Sequence, residues 1–104
     1  MYTELTDDIL DQVIGENEIT IVQYSAGWCG NCRLLKPTFK RLGDENREAN
    51  FVLVDAEKLP KSRQLANVTN LPTFAAFKKG EFLGQVQTNK SDKLKSFIDE
   101  VTGN

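Results

Sequence analysis

The chain predicts an α/β fold, a three-layer α/β/α sandwich, and three observations point there. Two short apolar runs rich in β-branched residues, residues 19–25 (ITIVQYS) and 51–55 (FVLVD), are nearly continuous in hydrophobic character, as strands covered on both faces are. Each is followed by a segment with helical features. Two further runs, residues 73–77 and 82–87, are separated only by Lys78-Lys79-Gly80-Glu81, short enough for an antiparallel hairpin.

The elements follow in order. Thr6, Asp7 and Asp8 precede Ile9, Leu10, Val13 and Ile14, an apolar face behind capping residues, and Gly15 supplies a stop for this first helix. Strand 19–25 comes next. A second helix carries Leu34, Leu35, Phe39 and Leu42 as its stripe, with Pro37 inside it, where the lost N–H and the ring bend a helix. Strand 51–55 precedes a shorter helix over residues 59–68, with Lys61, Arg63 and Gln64 outward. After the hairpin, Ser91 caps a last helix whose Leu94, Phe97, Ile98 and Val101 share one face and pack on the sheet.

Composition narrows the function. The 104 residues form one domain, 1–104, with no repeat or linker, and a chain of this length buries roughly two thirds of its unfolded surface. Thirteen basic and fifteen acidic residues leave a net charge of −2, so there is no basic field for a phosphate backbone and nucleic-acid binding is not expected. Histidine is absent, which removes Ser-His-Asp and Cys-His catalysis and every His-containing zinc site. No apolar stretch reaches a membrane span, and the polar, acidic first ten residues lack the features of a secretory leader. A soluble, unsecreted, cytoplasmic protein is expected, away from membranes. Two cysteines are too few for a disulfide framework or an all-cysteine metal site, so no metal is expected and the pair acts as a pair.

That pair lies in Trp28-Cys29-Gly30-Asn31-Cys32, between a buried strand and a helix start. Residues three apart on a helix share a face at a separation that a disulfide tolerates, so the pair can close reversibly. At the helix N-terminus Cys29 meets unpaired N–H groups and the positive end of the macrodipole, which favour its thiolate and make it the attacking nucleophile. Cys32, one turn inside, stays a protonated thiol until it resolves a mixed disulfide formed at Cys29. Cys29 is therefore expected to be accessible and Cys32 covered. Two packed core cysteines, or half of an intersubunit zinc site, are the plainer alternatives; strand, Trp, cysteine pair and helix in that order favour redox chemistry.

Taken together, Thr6-Asp7-Asp8, Ala26-Gly27-Trp28-Cys29-Gly30-Asn31-Cys32, Pro37, Asp55, Leu71-Pro72-Thr73 and Phe77-Lys78-Lys79-Gly80 resemble the thioredoxin family in order and spacing over nearly the whole chain. The resemblance implies the thioredoxin fold with a central mixed sheet, and dithiol–disulfide exchange with disulfides of other proteins. It implies no cofactor beyond the Cys29–Cys32 disulfide, and re-reduction by a flavin-dependent thioredoxin reductase; a monomer is expected. By the same resemblance Pro72 is a cis-proline facing the cysteines, the backbone of Leu71 pairs with an extended substrate segment, and Trp28 joins Gly30 and Asn31 in the contact surface around the nucleophile. Arg33, one turn beyond Cys29, favours the thiolate by its charge or is simply a solvated helix residue.

Departures from the family pattern bear on the chemistry. The buried aspartate six residues before the nucleophile and its lysine partner on the next strand read Gln23 and Phe51. Gln23 can hydrogen-bond but cannot take the Cys32 proton, so a water or the departing thiolate must serve as base. Asn31 stands where proline is usual, restoring an N–H near the thiolate and making the disulfide more oxidising. The small glycine of the groove rim reads Gln87, which points to a different choice of partner. Protein-disulfide reduction is the leading reading. The alternatives are an isomerase or oxidant of the same chemistry, and a binding module in which the groove of Trp28, Leu71, Pro72 and Gln87 holds a partner.

Overall fold

In a computed structural model, which describes residues 1–103, the chain runs β1 (Tyr2–Glu4), α1 (Leu10–Glu16), β2 (Ile19–Ser25), α2 (Gly30–Glu45), β3 (Asn50–Asp55), α3 (Pro60–Arg63), β4 (Thr73–Lys78), β5 (Glu81–Gln87) and α4 (Ser91–Thr102). The five strands form one mixed sheet in the order β1-β3-β2-β4-β5, parallel across β1, β3 and β2 and antiparallel across β2, β4 and β5. Among the described residues no helix is long and apolar enough to cross a membrane.

Central strand β2 shows why the apolar run is continuous. Side chains alternate across a strand, so Val22 and Tyr24 enter a core with Leu10 and Ile14 of α1, while Ile21 enters a second core with Leu35, Phe39 and Leu42 of α2 and Leu94 and Ile98 of α4. Both faces are covered, which demands hydrophobic residues at successive positions. Leu34 does not join the second core and is 69% exposed, because the adjacent Leu35 already holds the inward position and the two point about 100° apart around the helix. Pro37 lies within α2 as expected.

Strand β1 was not expected. Its three residues carry no periodicity of their own, and pairing supplies the structure: Tyr2, Thr3 and Glu4 align with Phe51, Val52 and Leu53. The Met1 ammonium reinforces the edge, donating to the carbonyls of Gly43 at 2.7 Å and Ala49 at 3.2 Å.

Three expected boundaries are corrected. Gly15 lies inside α1, and none of Thr6, Asp7 and Asp8 is its N-cap, a position held by Ile9 without a side-chain bond. The Asp8 carboxylate instead accepts from the backbone N–H groups of Lys61 at 2.9 Å and Ser62 at 2.7 Å, capping α3 from a distant part of the chain. Ser62 Oγ donates to Asp8 and accepts from Leu10 N–H at 3.2 Å, so each helix start caps the other. The helix expected over 59–68 is the single turn Pro60–Arg63. Its continuation is drawn to the sheet edge, where Gln85 Nε2 donates to the Asn67 carbonyl at 2.8 Å and Asn67 N–H donates to Gln85 Oε1 at 2.9 Å. Finally, Ser91 is the first residue of α4 rather than its cap, and Lys90 holds the cap position without a side-chain bond.

The hairpin closes more tightly than a four-residue loop. Lys79 and Gly80 have φ of 51° and 87°, two consecutive positive values that match the right-handed twist of the strands, and glycine makes the second inexpensive.

Candidate active site

At the C-terminal end of β2 the chain leaves the sheet at Ser25, turns through Ala26-Gly27-Trp28 and enters α2 at Gly30, with Cys29 as N-cap. A sulfur at this position serves as a capping acceptor, and the Cys32 N–H donates to Cys29 Sγ at 3.1 Å. The helix N-terminus thus directs a donor at the sulfur proposed from sequence as the nucleophile. Cys29 and Cys32 form a disulfide with Cα atoms 5.3 Å apart. Cys29 is 5% and Cys32 1% exposed: the order is as expected, but while the bond is closed Cys29 shows solvent only a sliver. Gly30 and Asn31 are exposed around it.

Trp28 is 67% exposed and held by one polar contact, its indole Nε1 donating to Glu57 Oε2 at 2.9 Å. Glu57 escaped the sequence reading, for nothing in its surroundings marks it. It is positioned by Asp55, whose Oδ1 accepts from the N–H groups of Glu57 at 2.9 Å and Lys58 at 3.0 Å in a side-chain-closed turn at the end of β3. Arg33 Nη2 donates to the Gly27 carbonyl at 3.1 Å, which tethers the guanidinium to the loop before the cysteines rather than to a sulfur.

Register brings the distant Leu71-Pro72 segment here. Tyr24 pairs with Thr73, which sets the residues just before β4 beside the end of β2, and Leu71 shares one buried cluster with Cys29 and Cys32. The Leu71–Pro72 bond is cis, as the family likeness implied. Asn70 braces this turn: its Oδ1 accepts from Leu71 N–H at 2.9 Å and its carbonyl accepts from Thr73 Oγ1 at 2.6 Å. In the Leu71 backbone, expected to pair with a substrate segment, the N–H is therefore bonded to its neighbour's side chain. Gln87 pairs with Thr73 across β4 and β5 and is exposed, at the strand end next to the Leu71–Pro72 turn.

Gln23 is wholly buried, and its Nε2 donates to the Cys32 carbonyl at 3.1 Å; among the described residues its Oε1 has no hydrogen-bond partner. The residue opposite it on β3 is Leu53, whereas Phe51 lies opposite Ile21 and packs on Phe39 with ring centroids 5.1 Å apart. Phe51, the position that the family pattern gives to the lysine, is thus one same-face step along β3 from the residue directly opposite Gln23, a placement that only the register decides. The neighbour of Gln23 is apolar in either case.

Beside Cys32 lies a cavity of about 220 Å³ with Ser25, Leu53 and Asp55 from the strand ends and Arg33 and Lys36 from α2 in its wall. Lys36 is also paired with Glu4 at 2.9 Å.

Comparison with known proteins places this geometry. The family model described as Thioredoxin matches residues 1–100. Thioredoxin H2 of Arabidopsis thaliana is 30% identical over 91 residues, 88% of this chain and 68% of that protein. Mitochondrial thioredoxin-2 of Schizosaccharomyces pombe is 37% identical over 73 residues, 70% of this chain and 55% of that protein. Among solved structures, thioredoxin from Plasmodium falciparum superposes with a TM-score of 0.88 at 26% identity, covering 94% of this chain and 97% of its own.

Proposed function

The chain belongs to the thioredoxin family and is a thiol-disulfide oxidoreductase; from that premise we propose that it reduces disulfides of other proteins, with Cys29 attacking and Cys32 resolving. The observation that carries the assignment of roles is the Cys32 N–H aimed at Cys29 Sγ, at the start of α2. Charge on Cys29 is met there by the Cys32 N–H and the positive end of α2, whereas Cys32 lies one turn inside and more deeply buried.

The steps follow. Cys29 thiolate attacks one sulfur of the substrate disulfide; a Cys29–substrate bond forms, and the other substrate sulfur leaves with the electron pair. Cys32, losing its proton, then attacks Cys29 Sγ, forms the intramolecular disulfide and expels the second substrate thiolate. Two electrons pass from the dithiol to the substrate. Exposed Trp28, Gly30, Asn31 and Gln87, with the Leu71–Pro72 turn, form the surface that receives it. A substrate pairing with Leu71 N–H must displace the Asn70 side chain, a local rearrangement within one turn. Gln23, through the Cys32 carbonyl, and Arg33, through the loop, tune the site.

A thioredoxin reductase is the electron donor that fits this reading, in a monomeric, single-domain protein acting in the cytoplasm without a bound cofactor, although one relative is named as mitochondrial. Asn31 favours a more oxidising pair than usual, so isomerase or oxidant duty is the second reading.

Trapping tests the roles. With a protein disulfide as substrate, Cys32→Ser should accumulate a mixed disulfide at Cys29, seen by mass spectrometry, and Cys29→Ser should be inert; accumulation on Cys32 in Cys29→Ser, with none at Cys29 in Cys32→Ser, overturns the assignment. Equilibration against glutathione, read by alkylation of both thiols, decides the direction of electron flow. Retention of biological activity by the double Cys→Ser variant would identify a binding module instead.

A further inference from the structure

We propose that Asp55 is the positioning residue that takes the proton from Cys32 during resolution, through water in the cavity between them. The inference rests on the reading of Cys32 as the resolving thiol. Resolution requires that buried thiol to lose its proton, and the side chain bonded to its backbone carbonyl, Gln23, is neutral at every pH. A base must therefore come from elsewhere.

The cavity beside Cys32 offers one. At about 220 Å³ it has room for several waters, and its wall is polar enough to hold them. Three charged side chains reach it: Asp55 from the end of β3, and Arg33 and Lys36 from α2. The two cations carry no accessible lone pair in their charged forms and cannot accept a proton; they are tethered to Gly27 and Glu4. Glu57, on the segment after β3, is held by the Trp28 indole. Among the described residues, Asp55 is the one carboxylate in the cavity wall. Only its Oδ1 is bonded to the following turn, so its second oxygen can accept from water.

In the step, Cys32 gives its proton to a cavity water as that water passes one to the Asp55 carboxylate. The Cys32 sulfur bonds to Cys29 Sγ, the Cys29–substrate bond breaks, and the substrate sulfur departs as thiolate. No further reactant is needed. When the disulfide is later reduced, Cys32 leaves as thiolate and recovers the proton along the same path.

Asp55→Asn tests this, since the amide Oδ1 preserves the turn and the base is removed. Stopped-flow reduction of a protein disulfide should slow by about tenfold or more near neutral pH. The deficit should shrink as pH rises, because solvent hydroxide increasingly takes the Cys32 proton in place of Asp55, and the alkylation rate of Cys29 should stay as in wild type. Should Asp55→Asn fold poorly, Asp55→Ser, whose hydroxyl can close the same turn, should show the same pH-dependent deficit. A profile superposing on wild type, or a deficit equal at every pH, would falsify the role of Asp55. Failure of the wild-type protein to reduce the substrate would instead remove the functional reading itself.

Discussion

Gln23 Nε2 donates to the Cys32 carbonyl at 3.1 Å, tying the centre of the sheet to the first turn of α2. The bond anchors the backbone of the resolving cysteine to the central strand. Its cost is a buried Oε1 without a partner, since a neutral amide in this place brings an acceptor that the surrounding apolar side chains cannot satisfy.

Gln23→Asp should lower stability and raise the resolution rate. Burial pushes a carboxyl there well above its ordinary value. Below the unfolded-state pKa of about 3.9 both states are protonated and no pH-linked penalty exists; it grows as pH rises toward the folded-state pKa and holds above it, at about 3 kcal/mol. Urea melts across pH measure this, and stopped-flow reduction near neutrality should be faster because Cys32 gains an adjacent base. Unchanged melts and unchanged kinetics together would contradict the placement of Gln23.

Asn31→Pro should make the protein a stronger reductant. The substitution deletes a donor in the first turn of α2 and stiffens the chain between the cysteines, so the reduced form loses stabilisation of its thiolate. The potential should fall by about 30 mV for each 1.4 kcal/mol lost. Equilibration with glutathione reads it, and a potential that stays or rises goes against the argument.

Asp8→Asn should flatten the acid limb of the stability curve. Desolvation raises the Asp8 carboxyl, but the hydrogen bonds from Ser62 and from the Lys61 and Ser62 backbone, with the Lys61 charge, outweigh it and hold the group below its usual value. A lowered folded-state pKa stabilises above the unfolded value of about 3.9, and that contribution is lost as pH falls through the folded pKa. Wild type should therefore exceed the variant in thermal midpoint at neutral pH, with the gap closing in acid. A gap constant with pH would mean that the charge is irrelevant to the cap.

Gly43→Ala should destabilise by about 1–3 kcal/mol, although alanine favours helix. A Cβ there would sit 2.9 Å from Phe51 Cβ and 3.0 Å from its Cγ, atoms that the packed second core cannot move aside. Chemical denaturation checks it; a gain in stability would show that β3 can retreat.

Much of this protein is legible in its residues. The apolar run of β2 is continuous because two cores meet on it, the hairpin turn announces itself in Lys79-Gly80, and Trp28-Cys29-Gly30-Asn31-Cys32, set in order between strand and helix, points to the redox chemistry. Such signals are local: they depend on periodicity, propensity and spacing within a dozen residues. Strand β1, the short α3, the capping of α3 by Asp8, the contact of Glu57 with Trp28, and the choice of Leu53 over Phe51 opposite Gln23 were decided by tertiary structure. In each of these a polar group or strand edge finds its partner tens of residues away. A three-residue strand such as Tyr2–Glu4 has no periodicity to read, and a slip of two residues along β3 keeps every side chain on its own face, so pattern cannot distinguish the registers. Only the packed sheet, by fixing which backbone groups meet, selects among them.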